Sequence, residues 1–234
     1  PGQSGEAWRA HLRQVAELKP EHISAYSLII EEGTPFAECE LDLPDEDTEY
    51  QMYEDTAGIL AEYGYQQYEI SNYAKDGYAC RHNIGYWKRV DYLGVGLGAS
   101  SLIDNVRYSN TRDLYTYLSE CENIHDCYMQ YPLTEGVTGS AVYSADGTHL
   151  LVPAVNLHAA AEQTTRNEQM EEFMFLGLRM NEGVTRAAFE QSFGVPIEAV
   201  YLETLRKLKE QGLLQMVAGR IALTLSLIHI SEPT

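Results

Sequence analysis

The sequence predicts an α/β protein, on three observations. Glu6 to Leu18 places Ala7, Leu12, Val15, Ala16 and Leu18 near helical spacing, with Arg9, Arg13 and Glu17 interleaved, which reads as an amphipathic helix. His22 to Ile30, HISAYSLII, is a β-branched and aromatic run of strand length, and a helix followed by such a strand is the αβ step of a parallel sheet. Near the other end, three helical patterns followed by a small hairpin make a winged-helix pattern.

Taken in order, Lys19-Pro20 ends the first helix and Glu31-Glu32-Gly33-Thr34-Pro35 is turn chemistry after the strand. Glu32 and the carboxylates from Glu38 to Glu49 raise the question of a hard-cation site. They lack the alternation and turn glycine of a calcium loop, and a solvated acidic loop is the better account. Asp45 or Asp47 then caps a helix over Thr48 to Tyr63, whose apolar side is Met52, Ala57, Ile59 and Leu60 and which Gly64 stops. Tyr65 to Ser71 and Tyr92 to Ile103 read as strands, and Asn110 to Asn123 as a capped helix with Leu114, Tyr117, Leu118 and Cys121 on one face. Asp146-Gly147 between two apolar alternations signals a hairpin. Asn167 caps a helix carrying Met170, Phe173, Met174, Leu176 and Leu178, with Gly183 as its end. Thr185 to Phe193 and Pro196 to Gln211 follow as helices, and Leu213 to Thr224, broken at Ala218-Gly219, as a hairpin.

Composition narrows the function. Of 234 residues, 44% are hydrophobic, enough for a substantial core. Sixteen basic against 35 acidic side chains give a net charge of −19, which repels phosphate backbones and anionic lipid heads and so disfavours nucleic acid, and membrane binding through a basic face. The C-terminal helices hold Arg186, Arg206, Lys207, Lys209 and Arg220 nearly balanced by glutamates, without the basic stripe of a DNA reader. No apolar run reaches the roughly 18 residues of a membrane span, and Cys39, Cys80, Cys121 and Cys127 with no signal-peptide pattern favour a reducing, cytoplasmic location. Cys121, His125 and Cys127 offer three corners of a zinc site without a fourth nearby ligand, against a reading as inert thiols.

Tyr68 to Ser101 is the chemically dense stretch. Tyr68, Tyr73, Tyr78, Tyr86, Trp87 and Tyr92 surround Cys80 and His82, and the run ends in Gly94, Gly96 and Gly98. Flat aromatics, one imidazole and the cations Lys88 and Arg89 suit a flat, anionic, metal-bearing ligand; a tyrosine-rich loop and a tight strand end are the structural alternative.

His82-Asn83-Ile84-Gly85-Tyr86-Trp87 is an HNxxYW signature, preceded by YEISNYA and followed by YLGVGLGA. In this order the segments resemble the HemW-type haem chaperones, relatives of the oxygen-independent coproporphyrinogen III oxidases of the radical SAM superfamily. The resemblance covers about 1–130 and 167–224. It implies the C-terminal part of an incomplete radical SAM (β/α) barrel with a sheet extension over 1–130, and a winged-helix-like domain over 167–224. Between them, 131–166 reads as an insertion of hairpin and linker, and 225–234 as a non-native tail in which His229 has no role. The missing start of the barrel makes the chain read as a C-terminal fragment.

The resemblance further implies haem as ligand at His82, Asn83, Tyr86 and Trp87, with His82 an axial ligand and Lys88 or Arg89 pairing propionates. Ile29 and Ala99 would lie near S-adenosylmethionine (SAM). Haem-accepting respiratory proteins are the implied partners, with peripheral contact to membrane proteins. The intact relatives would carry SAM and a [4Fe–4S] cluster on a C-x3-C-x2-C loop; the cysteines here are spaced 41, 41 and 6 apart, so this chain holds no such loop and is expected to be inactive alone in radical chemistry. The alternatives are a coproporphyrinogen III oxidase parent and a non-catalytic α/β scaffold with an interaction module.

Overall fold

In the computed structural model, residues 1–121 and 158–224 are described. They form two units, Pro1–Arg89 with Met170 onward, and Val90–Gln169.

In the first unit, Ser4 opens helix α1 (Gly5–Glu17) by accepting from the Ala7 amide at 3.2 Å. Asp45 does the same for α2 (Glu46–Glu62), accepting from Thr48 N at 2.8 Å, so the helix begins two residues before the expected Thr48. The two helices pack through Leu12 and Ala16 against Ile59 and Leu60, over a floor of Ile23, Tyr65 and Tyr73. A fully buried side chain such as Leu60 contributes about 1.5–3 kcal/mol. The Trp8 indole donates to Thr56 Oγ1 at 2.9 Å and fixes the crossing.

Beneath them lies a three-stranded sheet of β1 (His22–Ser24), β2 (Gln66–Glu69) and β3 (Asn72–Ala74), ordered β1-β3-β2 and antiparallel throughout. The expected parallel pairing is not seen among the described residues, and the strand over His22 to Ile30 is only three residues long. β3 begins at Asn72, opposite Ser24, so past a bond from Ala25 N to Ser71 O at 2.9 Å no backbone among the described residues continues the ladder. Tyr26, Leu28 and Ile29 are consequently exposed. A 3-10 turn follows at Pro35–Glu38.

The second unit holds β4 (Ser100–Ile103), β5 (Val106–Asn110) and β6 (His158–Gln163), ordered β4-β5-β6 and antiparallel. Asp104 and Asn105, both at positive φ, make the tight β4–β5 turn. The strand expected over Tyr92 to Ile103 is confined to β4, with Tyr92 bridging Leu102 alone. Gly96 and Gly98 take positive φ and divert the intervening chain into a loop. Helix α4 occupies 114–121 of the described residues. β6 arises where linker was expected: its alanines signal no strand, and the ladder to β5 supplies the bonds. The Asp146-Gly147 hairpin, His125, Cys127 and the 225–234 tail lie outside the described residues.

A capping box at Thr165 starts α5 (Arg166–Gly177): Glu168 N donates to Thr165 Oγ1, and Thr165 N to Glu168 Oε2 at 2.6 Å. Asn167, the expected cap, is therefore already helical. The first unit resumes within this helix. Past Gly177 come β7 (Val184–Thr185), α6 (Arg186–Phe193), α7 (Glu198–Glu210), β8 (Leu214–Val217) and β9 (Arg220–Leu223), the strands ordered β7-β9-β8. Gly194 ends α6 in the left-handed conformation and Ala218-Gly219 turns the β8–β9 hairpin, as the sequence indicates, while Thr185, expected as the first residue of the helix, is its cap. Met170, Met174, Phe189, Ile197, Leu205, Leu214 and Ile221 are the core of this part.

Candidate functional site

The HNIGYW signature, expected as a loop, is a helix: α3 (Arg81–Trp87). Seven residues with an internal glycine are too short to show a periodicity, but the helical turn decides which side chains meet. Residues four apart share a face. His82 and Tyr86 therefore stack edge to face, ring centroids 4.6 Å apart, with His82 exposed and Tyr86 half-buried. Asn83 lies on the neighbouring face, where its side chain hydrogen-bonds the Tyr68 hydroxyl. That hydroxyl also meets His22 Nε2 at 2.9 Å and accepts from Cys80 N at 3.3 Å. Burial is the main cause raising the Tyr68 phenol above its usual pKa, so it stays protonated and tethers the start of α3 to β1 and β2.

The far end of α3 is held by α5 and the chain after it. The Arg179 guanidinium lies over the Trp87 ring, 4.5 Å from its centroid. Lys88 Nζ pairs with Glu182 at 2.8 Å and Arg89 Nε with Glu172 at 2.6 Å; the first pair is half-exposed, the second mostly shielded. The structure thus engages both cations expected for propionates with protein carboxylates.

Beneath Trp87 sits a charged cluster that sequence reasoning missed. Glu69, fully buried, accepts through Oε1 from Ser71 N at 2.8 Å and from the Asn72 amide, while Oε2 stands 3.6 Å from Arg179. Asn72, also fully buried, accepts from Ser24 and donates to Tyr26. The chain after α5 extends the β2 edge, with Ile70 N bonded to Arg179 O at 3.2 Å and Asn181 N to Tyr68 O at 3.1 Å. The available signal was compositional: Glu69 and Arg179 are charges inside apolar runs, YEIS and FLGLRM, where a charge survives only when paired.

Ile29, expected near SAM, lies on the exposed segment after β1. Ala99 belongs to the second unit, where the glycine loop before β4 is pinned by polar bonds. Asn110 Nδ2 donates to Gly94 O at 3.2 Å and Gly96 O at 2.9 Å, Gly94 N donates to Ser101 Oγ at 2.9 Å and Gly96 N to Tyr117 at 3.1 Å. A cavity of about 160 Å³ opens among Trp8, Tyr26, Leu28, Met52, Tyr53 and Tyr73; none of the expected haem residues lines it. Among the described residues no three or more His, Cys, Asp or Glu are grouped to hold a metal, and no helix is long and apolar enough to cross a membrane.

Residues 164–226 match the HemN C-terminal domain family. Along 96% of its length the chain is 34% identical, over 228 residues, to the haem chaperone HemW of Lactococcus lactis subsp. lactis, covering 52% of that protein. Over that length the chain is similar to HemW. The HemW of Escherichia coli is 48% identical to it over 99 residues, which cover 42% of this chain and 26% of that protein. A mitochondrial radical S-adenosyl methionine domain-containing protein 1 of Danio rerio is 30% identical over 195 residues, 81% of this chain and 39% of the relative. The chain thus spans about half the length of the first curated relatives it matches. Its fold is similar to that of the coproporphyrinogen III oxidase HemN of Escherichia coli, a radical SAM enzyme, with a TM-score of 0.62 at 18% identity over 98% of this chain and 52% of that one. The α/β arrangement of helices and small sheets is the fold the two share.

Proposed function

We propose that this chain is part of a haem-binding chaperone that delivers haem to haem-accepting respiratory proteins. The observation that carries the reading is the His82–Tyr86 pair on α3: an exposed imidazole braced edge-on by a tyrosine one turn later, in a chain similar to HemW along nearly all its length. An imidazole nitrogen on an exposed helix face fits an axial iron ligand, and Tyr86 offers an aromatic surface beside it. Asn83 holds the start of the helix through Tyr68, and Trp87 anchors its end. Lys88 and Arg89 contact the propionates in this reading, exchanging or sharing Glu182 and Glu172 as they do so. Haem is the cargo.

SAM and a [4Fe–4S] cluster belong to the whole relatives in this reading, with Ile29 and Ala99 of this chain near SAM. The cysteine spacings of 41, 41 and 6 do not fit the cluster loop, so no chemical step is assigned to it here. The runner-up, an oxygen-independent coproporphyrinogen III oxidase, draws on the fold likeness to HemN. That likeness concerns the fold, whereas the HemW relatives share the sequence.

Haem titration followed at the Soret band, on the chain and on His82→Ala, tests the proposal. A Soret shift in the wild type that weakens about tenfold or more in His82→Ala is expected. An identical titration for both proteins would remove His82 as ligand; no shift in either would favour the oxidase where the full-length protein binds SAM and consumes coproporphyrinogen, and the non-catalytic scaffold where it does neither.

A further inference from the structure

We propose that Arg179, braced by the buried carboxylate of Glu69, is a positioning residue that fixes the indole of Trp87 and so sets the orientation of α3. The inference deepens the haem-binding reading and rests on it for its functional consequence, but its geometry stands alone. Arg179 sits just past α5, at a β-bridge joining Glu69 to Met180, so its backbone is locked onto the β2 edge by the bond from Ile70 N. Its guanidinium has one face over Trp87 and one nitrogen 3.6 Å from Glu69 Oε2.

Glu69 in turn cannot turn away. Its other oxygen is held by Ser71 N and Asn72, and Asn72 by Ser24 and Tyr26. A line of polar contacts therefore runs from β1 through β3 and β2 to Trp87. Among the described residues, three atoms of this line, Glu69 Oε2, Trp87 Nε1 and Arg179 Nε, are buried without a hydrogen-bond partner of their own. Such atoms are costly in a core, and their clustering around one stacked pair marks a place where geometry outranks stability. A guanidinium is the side chain for the task, because its plane stacks on an aromatic face while its edge meets a carboxylate; an ammonium is a point charge with no plane to stack, so it does not hold the indole flat while it pairs.

The sequence holds two tryptophans, Trp8 and Trp87, so Trp8→Phe leaves Trp87 as the sole indole reporter. In that background, Arg179→Met is expected to halve the near-UV circular dichroism of the indole, red-shift its emission, and weaken haem binding about tenfold. Arg179→Lys is expected to recover little of the indole signal despite retaining charge. Unchanged indole spectra in a folded Arg179→Met protein would overturn the proposal. So would an unchanged haem affinity where the parent binds haem. Should Arg179→Met fail to fold, hydrogen exchange at the Trp87 indole N–H of the Trp8→Phe protein decides: at least tenfold slowing relative to free indole is expected, and the free rate would refute the packing. If the parent binds no haem, the indole spectra still decide the positioning role while the haem reading falls.

Discussion

Arg89 donates through Nε to Glu172 Oε2 at 2.6 Å across 83 positions of sequence, and it does so from a left-handed backbone at φ +54°. A β-carbon in that conformation is strained, so the ion pair and the backbone pull in opposite directions. Arg89→Ala loses the pair and keeps the strain, and is expected to cost about 1–3 kcal/mol. Arg89→Gly loses the pair and relieves the strain, and is expected to be about 1 kcal/mol less damaging. Urea melts of the two variants check the ordering; equal midpoints would show that the backbone at this position carries no strain.

Gly183 turns the chain into β7 at φ +62°, and a β-carbon there would stand 2.1 Å from Ile221 O. Because that obstacle is backbone of β9, it cannot rotate away. Gly183→Ala is expected to cost at least about 2–4 kcal/mol. Gly212, at φ +74° with nothing within 4 Å, isolates the conformational part, and Gly212→Ala is expected to cost about 1–2 kcal/mol. Thermal denaturation of both variants gives the comparison.

Asn110 is 4% exposed and spends both amide hydrogens on the carbonyls of Gly94 and Gly96. Asn110→Ala removes both bonds at once and leaves two carbonyls to find water, an expected loss of about 1–3 kcal/mol. The loss is local. Hydrogen exchange should quicken at 94–98 while the amides of α1 and α2 keep their protection.

Acid stability follows from the ion pairs. The Glu182 carboxyl is lowered from its ordinary value of 4.5, chiefly by its hydrogen bond with Lys88, and Asp55 is lowered from 3.8, chiefly by that with Arg9. A carboxyl whose folded pKa lies below its unfolded one adds stability that is fully present above the unfolded value and is lost as pH falls through the folded one. Melting temperature should therefore fall as pH drops below about 4.5. Lys88→Met removes the main cause at Glu182, so it should melt below the wild type at pH 7, and the gap should close as pH falls through the lowered pKa of Glu182. A gap that persists at low pH would assign the effect to packing of the lysine stem.

The sequence by itself determined the local elements and the family resemblance. Ser4, Asp45 and Thr185 cap helices because a short side-chain oxygen before an apolar periodicity satisfies amides that no other part of the chain reaches, and Gly194 ends α6 because its conformation excludes most side chains. HNIGYW with its flanks identified the HemW-like relatives for the same reason: the information lies in adjacent residues.

What depends on residues far apart was decided only by the tertiary structure. β1 is short and antiparallel because β3, its one neighbour among the described strands, is short, and β6 exists because β5 offers it a ladder, neither of which shows in its own composition. HNIGYW is a helix because both ends are tied, to Tyr68 at one and to Arg179 at the other, and those ties turn Trp87 toward protein and leave His82 toward solvent. Glu69 and Arg179 are legible in sequence only as misplaced charges. Their pairing, 110 residues apart, is a product of folding, since burial makes an unpaired charge so costly that the chain must bring its partner to it.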